Sequence, residues 1–209
     1  MINSTETRMG LAIDWATSSR PMTKGAVSGD VHVVRECEAG VLMAAVDGAG
    51  HGQPAREAAL VAARILEAYA GEPTLTLMAR CHEGLTHTRG ASATLVWFRI
   101  LEDRLDWLGV GNVEARLIRA QPNGAPRSES ILLQGGILGY RLPLLRPASL
   151  DISPRDVLVL ATDGIHANFA EDINPWHAPA RIAADIMNRH WKGNDDALVV
   201  VARYLGVDE

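Results

Sequence analysis

Two aspartate–glycine pairs carry the chemistry that this chain could perform. Asp47-Gly48 ends the apolar run 41–46, and Asp163-Gly164, preceded by Thr162, ends the apolar run 157–161. Asp-Gly is a common hairpin dipeptide, but a hairpin needs an alternating strand directly after the turn. Here the chain continues instead as Ala49-Gly50-His51-Gly52-Gln53-Pro54 and as Ile165-His166-Ala167-Asn168. A third acid, Asp30, precedes the run 31–34, and Asp195-Asp196 precede the run 197–204. Each alone reads as a solvated loop or cap. Together they place carboxylates at the ends of four predicted strands. Crowded carboxylates repel one another, and their burial is costly unless a cation compensates. An all-oxygen set without thiolates suits Mg²⁺ or Mn²⁺ rather than structural zinc. Two such ions about 3.5–4 Å apart could drive in-line attack on a phosphoryl group. Gly48, lacking a side chain, would let its carbonyl approach such an ion.

The elements that must position these acids follow from periodicity. Residues 31–34 and 41–46 read as strands joined by a polar turn, and the unbroken apolar run 41–46 predicts cover on both faces. Pro54 suits a first helical turn, and Ala58, Val61, Ala62, Ile65, Leu66 and Tyr69 recur at helical spacing until Gly71. A second helix is predicted over 73–85. Residues 93–100 and 105–110 form a predicted hairpin turning at Glu102-Asp103, followed by strands at 113–120, 131–133, 149–152 and 157–161. A helix over 178–190 and a strand over 197–204 complete the chain. Turn-sized connections between strands imply antiparallel pairing. The expected class is α+β: two antiparallel sheets packed face to face, with helices outside.

The bulk properties set limits on this reading. The 209 residues suit one domain with a real core. Hydrophobic residues make up 47% and charged residues 22%, which disfavours disorder and coiled coil. A net charge of −5 gives no overall attraction to nucleic acid or anionic lipid. Cys37 and Cys81 cannot build a disulfide framework or a four-thiolate zinc site. No apolar run reaches the ~18 residues of a membrane span, and residues 1–10 lack the layout of a signal peptide. The Asn3-Ser4-Thr5 sequon then has no secretory context. A cytoplasmic protein is expected.

The ordered motifs resemble one family. Asp47-Gly48-Ala49-Gly50-His51-Gly52, Leu160-Ala161-Thr162-Asp163-Gly164 and Asp195-Asp196-Ala197 resemble the metal-dependent protein phosphatases of type 2C. Val27-Ser28-Gly29-Asp30, Thr88-Arg89-Gly90-Ala91, residues 108–114 and residues 135–140 are similar to the small stand-alone stressosome type within the bacterial branch. The similarity runs from about Gly25 to Tyr204, so one phosphatase domain is expected over 1–209, with its core at about 25–204. The resemblance implies the four-layer αββα sandwich that the segments suggest.

It also implies roles. Asp47 would bridge two Mn²⁺ or Mg²⁺ ions and Gly48 would lend its carbonyl. Asp163 and Asp195 would hold the first ion, and Asp30 would act on the second, while Asp196 is the weaker candidate of its pair. Hydrolysis of phosphoserine or phosphothreonine by a metal-bound hydroxide, without a phosphoenzyme, is the implied mechanism. Phosphorylated regulators of a stress-response partner-switching system (a stressosome scaffold or an antagonist of an anti-sigma factor) are the implied partners, and a monomer is expected. Asp47 and Asp163 are thus catalytic candidates. His51 joins them as a loop-stabilising residue first and a proton donor second.

The chain also departs from the larger members. No Arg closely precedes Asp30 to grip phosphate, which leaves Lys24 and Arg35 as substitutes that no motif places, and Leu198 stands where many members have Thr or Ser. Two other classes therefore compete: a non-catalytic phosphoprotein-binding module, and a two-metal hydrolase of small phosphate esters. The remaining residues have ordinary explanations. His32, His82, His87 and His177 show no metal-ligand spacing, Trp97 and Trp107 suit core packing, and His166 suits a loop.

Overall fold

The computed structural model describes residues 7–9, 12–120 and 128–206. The Asn3 sequon, nearly all of the N-terminal segment 1–10 and most of the Pro/Gly/Ser-rich stretch 121–130 lie outside the described residues. One sheet has the strand order β1-β2-β11-β10-β7-β8. Its strands are β1 (Thr7–Met9), β2 (Ile13–Arg20), β11 (Ala197–Tyr204), β10 (Val157–Ala161), β7 (Glu114–Ile118) and β8 (Ser128–Ser130). The other sheet has the order β3-β4-β5-β6-β9. It comprises β3 (Asp30–Cys37), β4 (Gly40–Gly48), β5 (Ala91–Arg99), β6 (Arg104–Val110) and β9 (Ala148–Asp151). Every strand pair in both ladders is antiparallel.

Three apolar layers hold the sandwich together. Val41, Met43 and Ala45 of β4 face Leu158, Leu160, Leu198 and Val200 between the sheets. The opposite face of β4, Leu42, Ala44 and Val46, packs under α1 (Gln53–Ala68) and α2 (Thr74–Gly84). On the other side, Val157, Val159, Val199 and Val201 pack under α3 (Pro179–His190). Strands buried on both faces read as unbroken apolar runs, and that is why residues 41–46 and 157–161 are so legible. The result is helix, sheet, sheet, helix, the expected four-layer α+β sandwich.

α1 lies close to its sheet because the buried face is nearly all alanine: Ala55, Ala58, Ala59, Ala62 and Ala63, with Leu66. The approach is so close that a Cβ on Gly48 would meet the Ala55 carbonyl oxygen at 1.9 Å. The glycine after Asp47 is thus required by helix packing, whatever else its carbonyl does.

Some boundaries differ from the sequence expectations. α1 ends at Ala68, and Tyr69 turns outward to stack on the Arg80 guanidinium 4.1 Å away. The short strand expected at 131–133 lies instead at Ser128–Ser130, paired with β7 on the sheet edge. β1 and β2 were not expected at all, so the ladder starts well ahead of Gly25, where the family motifs begin. β2 pairs along its full length with β11, but its sequence Ile-Asp-Trp-Ala-Thr-Ser-Ser-Arg hides this. Thr17 and Ser18 are buried polar residues that break any apolar alternation. Among the described residues, no helix is long and apolar enough to cross a membrane.

Candidate active site

The antiparallel ladders bring the four strand ends to one rim of the sandwich. Asp30, the first residue of β3, is the direct cross-strand partner of Asp47 near the end of β4. In the other sheet, β10 and β11 pair Ala161 with Val199, so Asp163, just past β10, and Asp195-Asp196, just before β11, share an end. Two hydrogen-bonded ties cross between the sheets there. The Thr162 hydroxyl donates to Asp30 Oδ2 at 2.8 Å. The Gly29 N–H donates to Asp196 Oδ2 at 2.7 Å, and Asp196 Oδ1 accepts from the Met22 N–H at 2.7 Å on its own sheet's side.

The two acids of the terminal pair therefore have different neighbours. Asp196 is buried, and its carboxylate is occupied by two backbone amides that tie residues 22–29 to the start of β11. Asp195 is half-buried on the rim, and its Oδ1 accepts the N–H of the following residue. The Trp191 indole N–H holds its carbonyl at 3.0 Å. The segment Trp191–Asp196 is also laced to the loop after Asp163. The Lys192 N–H donates to the Gly164 carbonyl at 2.9 Å, and Lys192 Nζ donates to the Asp163 carbonyl at 2.6 Å. Gly164 allows this: a Cβ there would meet the Asp196 carbonyl oxygen at 2.0 Å.

The electrostatics are those of an acidic rim with too few cations. Burial, then repulsion from Asp163 and Asp195, pushes the Asp47 carboxyl up to about 7 against a donated hydrogen bond from Asn112. Burial and the Asp47 charge push Asp30 well above the usual carboxylate range, offset in part by Thr162. Burial and Asp195 raise Asp163, while Lys192 and Asn112 pull it down. The Asn112 amide donates to Asp163 Oδ2 at 2.7 Å. Carboxylates that hold their protons this tightly are poised to exchange them for a metal ion. In kind, the donors fit a hard divalent cation: carboxylate oxygens and no sulfur. Among the described residues, however, no three His, Cys, Asp or Glu side chains are already drawn into a cation cage. The mutual repulsion of Asp47, Asp163 and Asp195 opposes such closure until positive charge arrives.

His51 is exposed on the turn that leads into α1. The two candidate substitutes for a phosphate-gripping arginine lie elsewhere. Arg35 pairs with Leu42, five residues along β3 from Asp30, about 17 Å away at strand rise. Lys24 is exposed in the turn ahead of β3. Three residues not singled out from sequence prove close to the acids. Asn112 sits within the motif at 108–114 but had no role there. Lys192 lies three residues before Asp195. Arg56, in the first turn of α1, donates from Nη1 to the Asp30 carbonyl at 2.9 Å; its place just after the glycine loop was the available signal. Beside Asp163 opens a cavity of about 290 Å³, lined by Asn112, Glu114, Leu133, Ile165, Ala167 and Lys192 among others.

Known proteins share this fold. Over a 98-residue segment the chain is 28% identical to phosphoserine phosphatase RsbX of Bacillus subtilis (strain 168), covering 47% of this chain and 48% of RsbX. The match thus spans about half the length of that curated relative. A solved chain from work on the bacterial stressosome as a modular system superposes with a TM-score of 0.82 at 26% identity, covering 91% of this chain and 99% of the other. A crystal structure of RsbX in complex with magnesium gives a TM-score of 0.85 at 18% identity, covering 96% and 100%. The serine/threonine phosphatase PstP/Ppp of Mycobacterium tuberculosis gives 0.71 at 17% identity, covering 94% and 100%. At such identities, the last two establish the fold alone. The model of the stage II sporulation protein E family matches residues 38–204, from the turn before β4 to the last residue of β11. That span takes in both Asp-Gly ends and the terminal acid pair, and the chain belongs to the SpoIIE family.

Proposed function

We propose that this chain is a cytoplasmic, divalent-cation-dependent phosphatase that hydrolyses phosphoserine or phosphothreonine on regulator proteins of a stress-response partner-switching system. The observation that carries the reading is the rim where Asp30, Asp47, Asp163 and Asp195 converge from two sheets, the first three with their carboxyls held above the ordinary range. The RsbX and stressosome relatives support the choice of substrate class, and the magnesium complex of RsbX supports the choice of ion.

Asp163 and Asp195 would hold one Mn²⁺ or Mg²⁺ ion and Asp30 would serve a second, with Asp47 shared between the two and the Gly48 carbonyl as a further ligand. Bound there, the ions would supply Lewis acidity that acidifies water and neutralises phosphoryl charge. The chain's own residues prepare the site. Asn112 orients Asp163 by donating to Oδ2. Thr162 orients Asp30 in the same way. Asp196 pins residues 22–29 so that Asp30 stays level with Asp47. His51, exposed on the glycine loop, would stabilise that loop first and donate a proton to the departing oxygen second. The cavity beside Asp163, apolar along Leu133 and Ile165, suits the residues that flank the phosphoserine of a protein substrate better than a free phosphate ester.

The direct test is phosphate release from a phosphorylated regulator protein, with Mn²⁺ and with chelator. Release with Mn²⁺ alone is expected, and its absence on both phosphoprotein and p-nitrophenyl phosphate would overturn the reading. The absence of an arginine closely ahead of Asp30 keeps one rival in play, a non-catalytic module that binds phosphoproteins. Calorimetric titration separates the two, since the rival binds no metal pair.

A further inference from the structure

No arginine closely precedes Asp30 in the sequence, Arg20 standing ten residues ahead, yet a phosphate dianion approaching four carboxylates needs a cationic group from the protein as well as from metal. The geometry points to Arg89 as that group: we propose that its guanidinium grips the phosphoryl oxygens of the substrate. This rests on the phosphatase reading above and names its phosphate-binding side chain.

Register places it. β4 and β5 pair Asp47 with Ser92 and Gly48 with Ala91. The ladder continues past the strand end, where the Ala49 N–H donates to the Gly90 carbonyl at 2.9 Å. Arg89 therefore lies across from Gly50, three residues beyond Asp47. The side chain uses this position: Arg89 Nη1 is 2.8 Å from where a Cβ on Gly50 would sit. Gly50 has φ +92° and no side chain, so the guanidinium rests directly on the backbone of the glycine loop.

The backbone that carries Arg89 is fixed on both sides. The Thr88 hydroxyl donates to the Leu85 carbonyl at 2.7 Å, and the Gly90 N–H donates to Thr88 Oγ1 at 3.0 Å. Gly90 has φ +81°, and a Cβ there would meet the Leu138 carbonyl oxygen at 2.5 Å. The segment is thus clamped against residue 138 by the pair of hydrogen bonds between Ala91 and Leu138.

The side chain itself is uncommitted. Arg89 is exposed, and among the described residues it forms no ion pair. Two other arginines near the acids are engaged: Arg56 donates to the Asp30 carbonyl, and Arg20, opposite Ala197 in the ladder, donates to Asn188 Oδ1 and stacks on Trp191. By contrast, Arg99, Arg116 and Arg119 each hold a carboxylate. A planar guanidinium can offer two parallel N–H donors to a phosphoryl group, which a lysine cannot.

The test compares Arg89→Ala, Arg89→Lys and, as a control far from the rim, Arg35→Ala. Each protein is loaded with Mn²⁺, and two quantities are read: the Kd for inorganic phosphate by calorimetry and the KM for p-nitrophenyl phosphate. Arg89→Ala should raise both about tenfold or more, with Mn²⁺ affinity and Tm unchanged, and Arg89→Lys should recover only part. Arg35→Ala should match wild type. Unchanged phosphate affinity in Arg89→Ala, or equal recovery by lysine, overturns the assignment. So does a wild-type protein that takes up Mn²⁺ but no phosphate. Failure of the phosphatase reading looks different: wild type that binds phosphate through Arg89 but hydrolyses nothing leaves the grip standing and removes the enzyme.

Discussion

The two ends of the sandwich treat charge in opposite ways. At the far end, carboxylates meet partners: Arg99 bonds to both Glu102 and Asp106, Arg104 reaches Asp151, and Arg119 joins Asp156 and Glu129. Asp156, buried there, also accepts from the Ala120 and Ser153 amides. At the near end, Asp30, Asp47, Asp163 and Asp195 face one another, with Lys192, Asn112 and the Thr162 hydroxyl to relieve them. The same antiparallel ladders create both ends, so the difference is chemical. One end is built to hold the sheets together and the other is held under electrostatic stress by the packing around it. That stress is what an added cation would relieve.

Substitutions can break the comparison at either end. Asp47→Asn should have the largest effect, a loss of Mn²⁺-dependent p-nitrophenyl phosphate hydrolysis of about 10³-fold or more, since several kcal/mol of charge stabilisation leave with the ions. Asp163→Asn should behave alike. Both should remain folded by circular dichroism, and full activity in either would remove that residue from the site. At the far end, Asp156→Ala should do the reverse. It should lower stability by about 3 kcal/mol by stranding buried donors, or about 6–12 °C in Tm, with kcat unchanged. A matching loss of turnover would mean that the ends are coupled.

The pH dependence of stability sharpens the same contrast. In chelator, the raised carboxyl of Asp47 contributes stability that is fully present below its unfolded value of about 4. That contribution is lost as pH rises through its folded value of about 7. Metal-stripped protein should therefore melt at lower temperature as pH climbs across that window, and Asp47→Asn should flatten the slope. Mn²⁺ should restore the most stability at the alkaline side. A Tm independent of pH in chelator would show that the acids are not in conflict. The smallest effect belongs to Arg99→Ala. Its pair with Glu102 is exposed and its pair with Asp106 only half-buried, and such surface pairs contribute little, so a Tm shift of no more than about 2–4 °C is expected.

Much of this was legible in the chain itself. The runs at 41–46 and 157–161 announced doubly covered strands because each sits between two apolar layers. The Asp-Gly pairs stood out because the residues after them cannot pair as a hairpin. β2 stayed hidden because Thr17 and Ser18 fill its buried positions with hydroxyls, and residues 131–133 drew a strand that the ladder forms three residues earlier. Within the rim, the acids were visible by their strand-end positions. Their supports were not: Thr162, Asn112 and Lys192 gain meaning only from a sheet-to-sheet or loop-to-loop contact.

Sequence alone determined which residue types reach the strand ends, since periodicity marks where buried strands emerge and which acids stand there. Tertiary structure decided how they divide the work. Asp195 and Asp196 are adjacent and chemically identical, yet they stand in the irregular backbone just before β11, which turns their side chains to different neighbours. One is drawn inward onto the amides of Met22 and Gly29 and the other is left on the rim. The glycine at position 48 has the same history. Its sequence suggested room for a ligand, while the fold shows that the Ala55 carbonyl of α1 already claims the space a side chain would need.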